Sequence, residues 1–119
     1  MLIEERAVKK YLMINSESMG QGDWELGKVL LKKFLGTVVA SGETPTGIAL
    51  LNSGVKLACA ESPVLDELRE LEARGANISS CVTCLKHYDL LEDVQVGIQG
   101  TMALYVQYMC DADDTFVIG

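Results

Sequence analysis

Residues 62–88 read SPVLDELRELEARGANISSCVTCLKHY. A helix, a stop, a strand and two thiols follow one another within it. Ser62-Pro63 opens the helix, since proline tolerates a first turn and no later one. Val64, Leu65, Leu68 and Leu71 fall on one face, the spacing of a helix that buries one side. Gly75 ends it, and Ala76–Ser80 reads as a strand with weak intrinsic propensity. Cys81 then stands at a turn that leads into a short helix reaching about Tyr88.

Working outward, the same alternation recurs. Residues 10–15 (KYLMIN) form a short apolar run that ends in the polar loop 16–22. From Asp23 to about residue 40, apolar residues recur at helical spacing as Trp24, Leu26, Val29, Leu30, Phe34 and Val38. Asp23 suits the start, where a carboxylate meets unpaired amides and the positive end of the helix dipole. Residues 47–51 (GIALL) predict a second strand, followed by the turn Asn52-Ser53-Gly54, while 55–60 is ambiguous. Residues 94–98 predict a fourth strand, 101–112 a helix bearing Met102, Leu104, Tyr105, Tyr108 and Met109, and 115–118 a fifth strand. Strands apolar along their whole length and separated by helices imply an α/β fold, with a parallel sheet covered on both faces. No repeat, linker or low-complexity segment divides the 119 residues, so one domain spanning 1–119 is expected.

That topology points to the carboxyl ends of the strands, where open parallel sheets gather ligands. The expected strand-end loops are 16–22, 52–54, 80–84 and 97–101. Composition narrows the partners. A net charge of −7 with no basic block opposes nucleic acid and anionic lipid. The segment 1–10 lacks the apolar run of a signal peptide, and no stretch has 18 consecutive apolar residues, so no membrane span is expected and a cytoplasmic location is the default. In that compartment the four cysteines read as core residues, metal ligands or reactive thiols before disulfides.

Cys81 and Cys84 form a Cys-x-x-Cys pair at a strand-to-helix junction. The thiolate is the nucleophile, and free amides at a helix start stabilise it. Cys81 is expected where those amides point, with Cys84 more sheltered one turn later. Lys86 and His87 stand close enough in sequence to add positive potential. A thiol so placed can accept a sulfane sulfur, hold it as a persulfide and pass it on. Three alternatives share the spacing: two buried small side chains, a zinc site drawing on Cys81, Cys84, His87 and Cys59, and a dithiol switch.

Three further stretches carry a resemblance: INSESMGQGDWELGKVLLKKFL, LLNSGVKLACAESPVLDELRELEARGANISSCVTCL and KHYDLLEDVQVG. In that order they resemble the DsrE-like domain of YedF-type selenium-metabolism proteins, from about Tyr11 to Ile118. The resemblance implies a three-layer α/β/α sandwich around a five-stranded parallel sheet. It also implies a homo-oligomer (trimer or hexamer) and a sulfurtransferase-like carrier role without a cofactor. Its partners would be persulfide or selenium donor and acceptor proteins, including TusA-like ones. The active cysteine of such chains lies after the third strand, which corresponds to Cys81. Two departures stand out: Tyr88-Asp89 replaces a frequent Arg-Gly pair, and no TusA-like domain with a Cys-Pro motif is present in these residues.

Around the thiols, Asn52 and Ser53 offer hydrogen bonds to a bound anion, although turn formation explains them equally well. Gly54, Thr83 and His87 complete that side of the candidate site, and Gly20 and Gly22 are expected to form one wall. The Gly20–Asp23 loop lacks the Gly-Lys-Ser/Thr ending of a phosphate loop. Cys59 is expected in the core, and Cys110, beside Met109, as packing.

Overall fold

A computed structural model describes residues 7–119; the reading of the first residues as free of a signal peptide falls mainly on residues 1–6, outside the described residues. Five strands, β1 (Lys10–Ile14), β2 (Gly47–Leu50), β3 (Asn77–Cys81), β4 (Ile98–Gly100) and β5 (Asp114–Ile118), form one sheet in the order β4-β3-β2-β1-β5. Every pairing is parallel. The chain steps one way across the sheet through β4 and then crosses back to place β5 beside β1.

The helices connecting them cover both faces. Helix α1 (Trp24–Ser41) packs beside α2 (Leu65–Ala73), and its Phe34 stacks on Phe116 of β5 at 5.5 Å. Phe116 pairs with Leu12, whereas the preceding residue pair, Tyr11 and Thr115, points to the opposite face. There Tyr108 of α4 (Met102–Asp111) stacks on Tyr11 at 4.4 Å. A short helix, α3 (Val82–His87), follows β3 directly. The three-layer α/β/α arrangement around a five-stranded parallel sheet is therefore as the sequence leads one to expect.

Local chemistry explains most boundaries. The Asp23 carboxylate accepts from the Leu26 N–H at 2.7 Å and caps α1. Gly42, at φ 80°, ends that helix in the left-handed region that favours glycine. Thr101 caps α4 by accepting from the Leu104 N–H at 3.3 Å. In α2, Leu68 and Leu71 are fully buried, each stabilising by roughly 1.5–3 kcal/mol over an exposed position.

Two boundaries need correction, and two open points are resolved. Helix α2 starts at Leu65 rather than at Pro63, because Ser62 Oγ first accepts from the Val64 N–H in a side-chain turn. The fourth strand begins at Ile98 rather than at residue 94. Gly97, at φ 77°, breaks the apolar run, and Val94 instead bridges antiparallel to Cys59. The ambiguous segment is a 3₁₀ helix, Asn52–Ala58. The spacing along α1 is helical, but Trp24, Leu26, Val29 and Leu30 are exposed; the buried stripe is Gly27, Leu31 and Leu35. An apolar residue on more than one face leaves periodicity unable to say which face meets the sheet.

Gly54 shows how tightly the 3₁₀ helix sits on the sheet. A Cβ there would lie 2.2 Å from the Ile14 carbonyl oxygen, at the end of β1. Gly54→Ala is expected to lower stability by about 1–3 kcal/mol, read as a lower denaturant midpoint at unchanged slope. Gly22→Ala, with nothing within 4 Å of the added carbon, should stay within about 0.5 kcal/mol of wild type.

Candidate functional site

The β2–β3 register builds the site. Leu50 pairs with Ser80, so the residues that leave β2 arrive beside Cys81, the last residue of β3. Cys81 also precedes α3 as its N-cap, without a side-chain capping bond, and Cys84 lies within the first turn of that helix. The two thiols lie close enough for Cys81 to influence the ionisation of Cys84.

Their exposure reverses the sequence expectation. Cys81 is 1 % exposed, whereas Cys84 is half-buried. The cause is that β3 continues through Cys81 with no intervening turn. Its side chain belongs to the sheet and shares a face with Ser79, beneath α4. The donor aimed at sulfur also differs from the expected helix amides. It is the backbone N–H of Asn52, which reaches Cys84 Sγ at 3.1 Å from the end of β2. Asn52 adopts φ 49°, a left-handed conformation that asparagine tolerates better than most residues. Its side-chain Oδ1 accepts a 2.8 Å bond from the Tyr88 hydroxyl. Lys56 Nζ stands 4.6 Å from the centre of the Tyr88 ring and 3.8 Å from Glu17, which also faces Lys28 at 3.9 Å.

Burial pushes the Cys84 thiol up from its ordinary pKa, the Asn52 N–H draws it down, and neighbouring Cys81 pushes it up again. The net direction is upward. On the α4 side, Tyr105 places its hydroxyl over Gly100, where a Cβ would lie 2.5 Å away. Burial, partly offset by Ser79 and reinforced by Cys81, pushes that phenol up to about 12.

The remaining expected residues divide. Asn52 joins the thiols. Ser53 instead ties loops together, its Oγ accepting from the Glu17 N–H at 3.2 Å, and Gly54 serves the close approach to β1. Thr83 and His87 are exposed on α3, His87 lying edge-on to Tyr88 at 5.0 Å. Gly20, at φ 93°, shapes its own loop, and neither it nor Gly22 has another residue within 4 Å of an added Cβ. The tight glycine of that region is Gly27, whose added carbon would collide with Ser18 and Met19. Cys59 is buried, as expected, with its thiol on the Val55 carbonyl at 3.4 Å. Cys110 is exposed on the outer side of α4, contrary to its reading as packing. Lys56, Tyr88 and Tyr105 were not singled out as site residues; only tertiary structure brings them near the thiols. Among the described residues, no cluster of three His, Cys, Asp or Glu side chains suits a metal ion, and no helix is long and apolar enough to cross a membrane.

With this geometry in view, the fold can be placed. No family model matches the chain, and no curated protein matches it. Solved structures do. The YchN protein from E. coli superposes with a TM-score of 0.66 at 14 % identity, covering 93 % of this chain and all of its own. MTH1491 from Methanobacterium thermoautotrophicum gives 0.65 at 16 % identity, over 93 % of this chain and 99 % of its own. BT1422 from Bacteroides thetaiotaomicron gives 0.63 at 16 %, over 92 % and 95 %. The chain thus has the α/β fold of YchN, and the latter two neighbours are described as proteins of unknown function.

The exposures set an order of reactivity. In the folded protein a thiol reagent is expected to modify Cys84 well before Cys81, which should react at an ordinary rate only after denaturation. The Cys84 rate should go on rising above pH 8.5, the usual thiol midpoint, because its thiolate forms at higher pH than usual. Mass mapping of a pH series of iodoacetamide reactions reads both outcomes.

Proposed function

We propose that this protein is a sulfur or selenium relay, carrying the atom as a persulfide-type adduct on the Cys81–Cys84 pair, with Cys84 as the first acceptor. The observation that supports this reading is the backbone N–H of Asn52 directed at a half-buried sulfur. A backbone donor held in place stabilises a sulfur anion without bringing in a second nucleophile or a metal. In the loading step, the Cys84 thiolate attacks the outer sulfur of a donor persulfide. The donor's S–S bond breaks, its own sulfur leaves as a thiolate, and a new S–S bond forms on Cys84. No external oxidant is needed, because the transferred sulfur is already at the sulfane level. Delivery reverses the same exchange toward an acceptor thiol, and Cys81, in reach of Cys84, can take the sulfur inward. A DsrE/DsrF-like fold is consistent with this role, and donor and acceptor proteins, including TusA-like ones, are its proposed partners. Cytoplasm, with its reduced thiols, is the compartment the role calls for.

Incubation with a small-molecule persulfide donor and intact-mass measurement test the reading. Wild type should gain one sulfur, removable by dithiothreitol, and Cys84→Ser should lose most of the gain. If neither Cys81→Ser nor Cys84→Ser alters the uptake, the carrier role fails. The mutual influence of two thiols three positions apart also favours a second reading, a dithiol oxidoreductase. That reading requires a reversible Cys81–Cys84 disulfide in a redox titration.

Self-association belongs to the same proposal. Helix α4 has no charged residue before Asp111, and Met102, Val106 and Met109 stand 53, 55 and 70 % exposed on its outer side. On a chain of net charge −7, this uncharged strip is where a second copy approaches with least repulsion. Val106→Lys with Met109→Lys should shift the sedimentation profile toward monomer at unchanged helical content.

A further inference from the structure

The Tyr88 hydroxyl is donated to Asn52 at 2.8 Å, across 36 residues of sequence. Asn52 holds φ 49°, a backbone state that costs energy for any residue with a side chain unless something secures it. The N–H of that same residue reaches Cys84 Sγ at 3.1 Å. Tyr88 follows α3 directly as its C-cap, with its N–H on the Cys84 carbonyl at 3.1 Å. The helix that carries the thiol therefore also carries the group that holds the thiol's donor. A three-membered loop of contacts results: Cys84 to Asn52 through the backbone, Asn52 to Tyr88 through side chains, and Tyr88 to Cys84 through one helical turn.

We propose that Tyr88 is a positioning residue for Cys84, its hydroxyl holding Asn52 in the left-handed turn that directs the backbone N–H at the sulfur. Tyr88 touches no reacting atom and acts through Asn52 alone. Lys56 braces the ring from its other side, 4.6 Å from the centroid, and is itself held by Glu17. Without the hydroxyl, Asn52 is free to leave the left-handed region, and the N–H swings from the sulfur. This inference rests on Cys84 as the working thiol, but its test uses no sulfur donor, so either can fail without the other.

The measurement is the pH dependence of Cys84 alkylation, in a Cys110→Ser background that removes the exposed competing thiol. The groups that face Cys84 are Cys81 at the end of β3, Tyr105 on α4 and the Asn52 amide from the end of β2; Lys56 lies behind Tyr88. None is altered by Tyr88→Phe, which keeps the ring and its contact with Lys56. A hydrogen bond to a charged group is stronger than one between neutral groups, and partial misalignment forfeits part of it. Tyr88→Phe is thus expected to slow alkylation about three- to ten-fold below the thiol midpoint and to move that midpoint to higher pH, with the rate at full ionisation preserved. Asn52→Gly removes the acceptor of the Tyr88 bond while permitting the same backbone conformation. In an N52G background, Tyr88→Phe should add no further change, since the two residues act in series. A Tyr88→Phe profile superimposable on wild type, or an equal effect of Tyr88→Phe with and without Asn52→Gly, would overturn the proposal. Near-ultraviolet circular dichroism and denaturant midpoints separate loss of fold from loss of alignment.

Discussion

The parallel pairing of β2 with β3 is the constraint on which the rest of the site depends. Leu50 opposite Ser80 leaves Asn52 beside the thiols, and that segment is held against sliding, because a shift of one residue would send Ile48 and Leu50 to the opposite buried face, in the places of the smaller Gly47 and Ala49. Gly54 locks the same segment from the other side by its approach to the Ile14 carbonyl. The donor N–H on Cys84 is thus held by the sheet and needs no ligand to form it. Such preorganisation matters because a donor already in place spends nothing on rearrangement when charge develops on sulfur.

The two thiols occupy different environments although three positions apart. Cys81 is a sheet residue, sealed beneath α4 next to Tyr105, whereas Cys84 is a helix residue at the rim. The pair therefore spans a gradient from protein interior to surface. Opposing effects act on Cys84 itself. Desolvation disfavours its thiolate more than the Asn52 N–H favours it, while the sulfur remains reachable. Such restraint limits side reactions of any reachable thiol, since an anion formed too readily is also oxidised or alkylated too readily.

Charge elsewhere is distributed to match. Glu17 takes contacts from both Lys28 and Lys56, long pairs at 3.9 and 3.8 Å with solvent-exposed lysines, which contribute little to stability but hold Lys56 against Tyr88. The outer side of α4 carries no charge over most of its length, in contrast to the acidic chain as a whole. Two kinds of surface thus lie on one small domain, one polar and close to sulfur, the other apolar.

Hydrophobic spacing and glycine placement made the order of strands and helices legible in the sequence, because buried parallel strands and one-sided helices leave periodic marks. The fourth strand was misplaced since a single glycine with positive φ, Gly97, interrupts an apolar run without changing its composition. The Cys-x-x-Cys pair was legible too, and so was Asn52 as a turn residue near it. Which thiol faces outward was not, because that depends on whether β3 stops before Cys81 or runs through it, a difference of one residue set by pairing with Gly100 of β4. Nor could local sequence reveal Lys56, Tyr88 and Tyr105 around the sulfur. Lys56 comes from the 3₁₀ helix and Tyr105 from α4, and only the closing of the sheet and its helices brings the first onto the Tyr88 ring and the second to the side of the thiols.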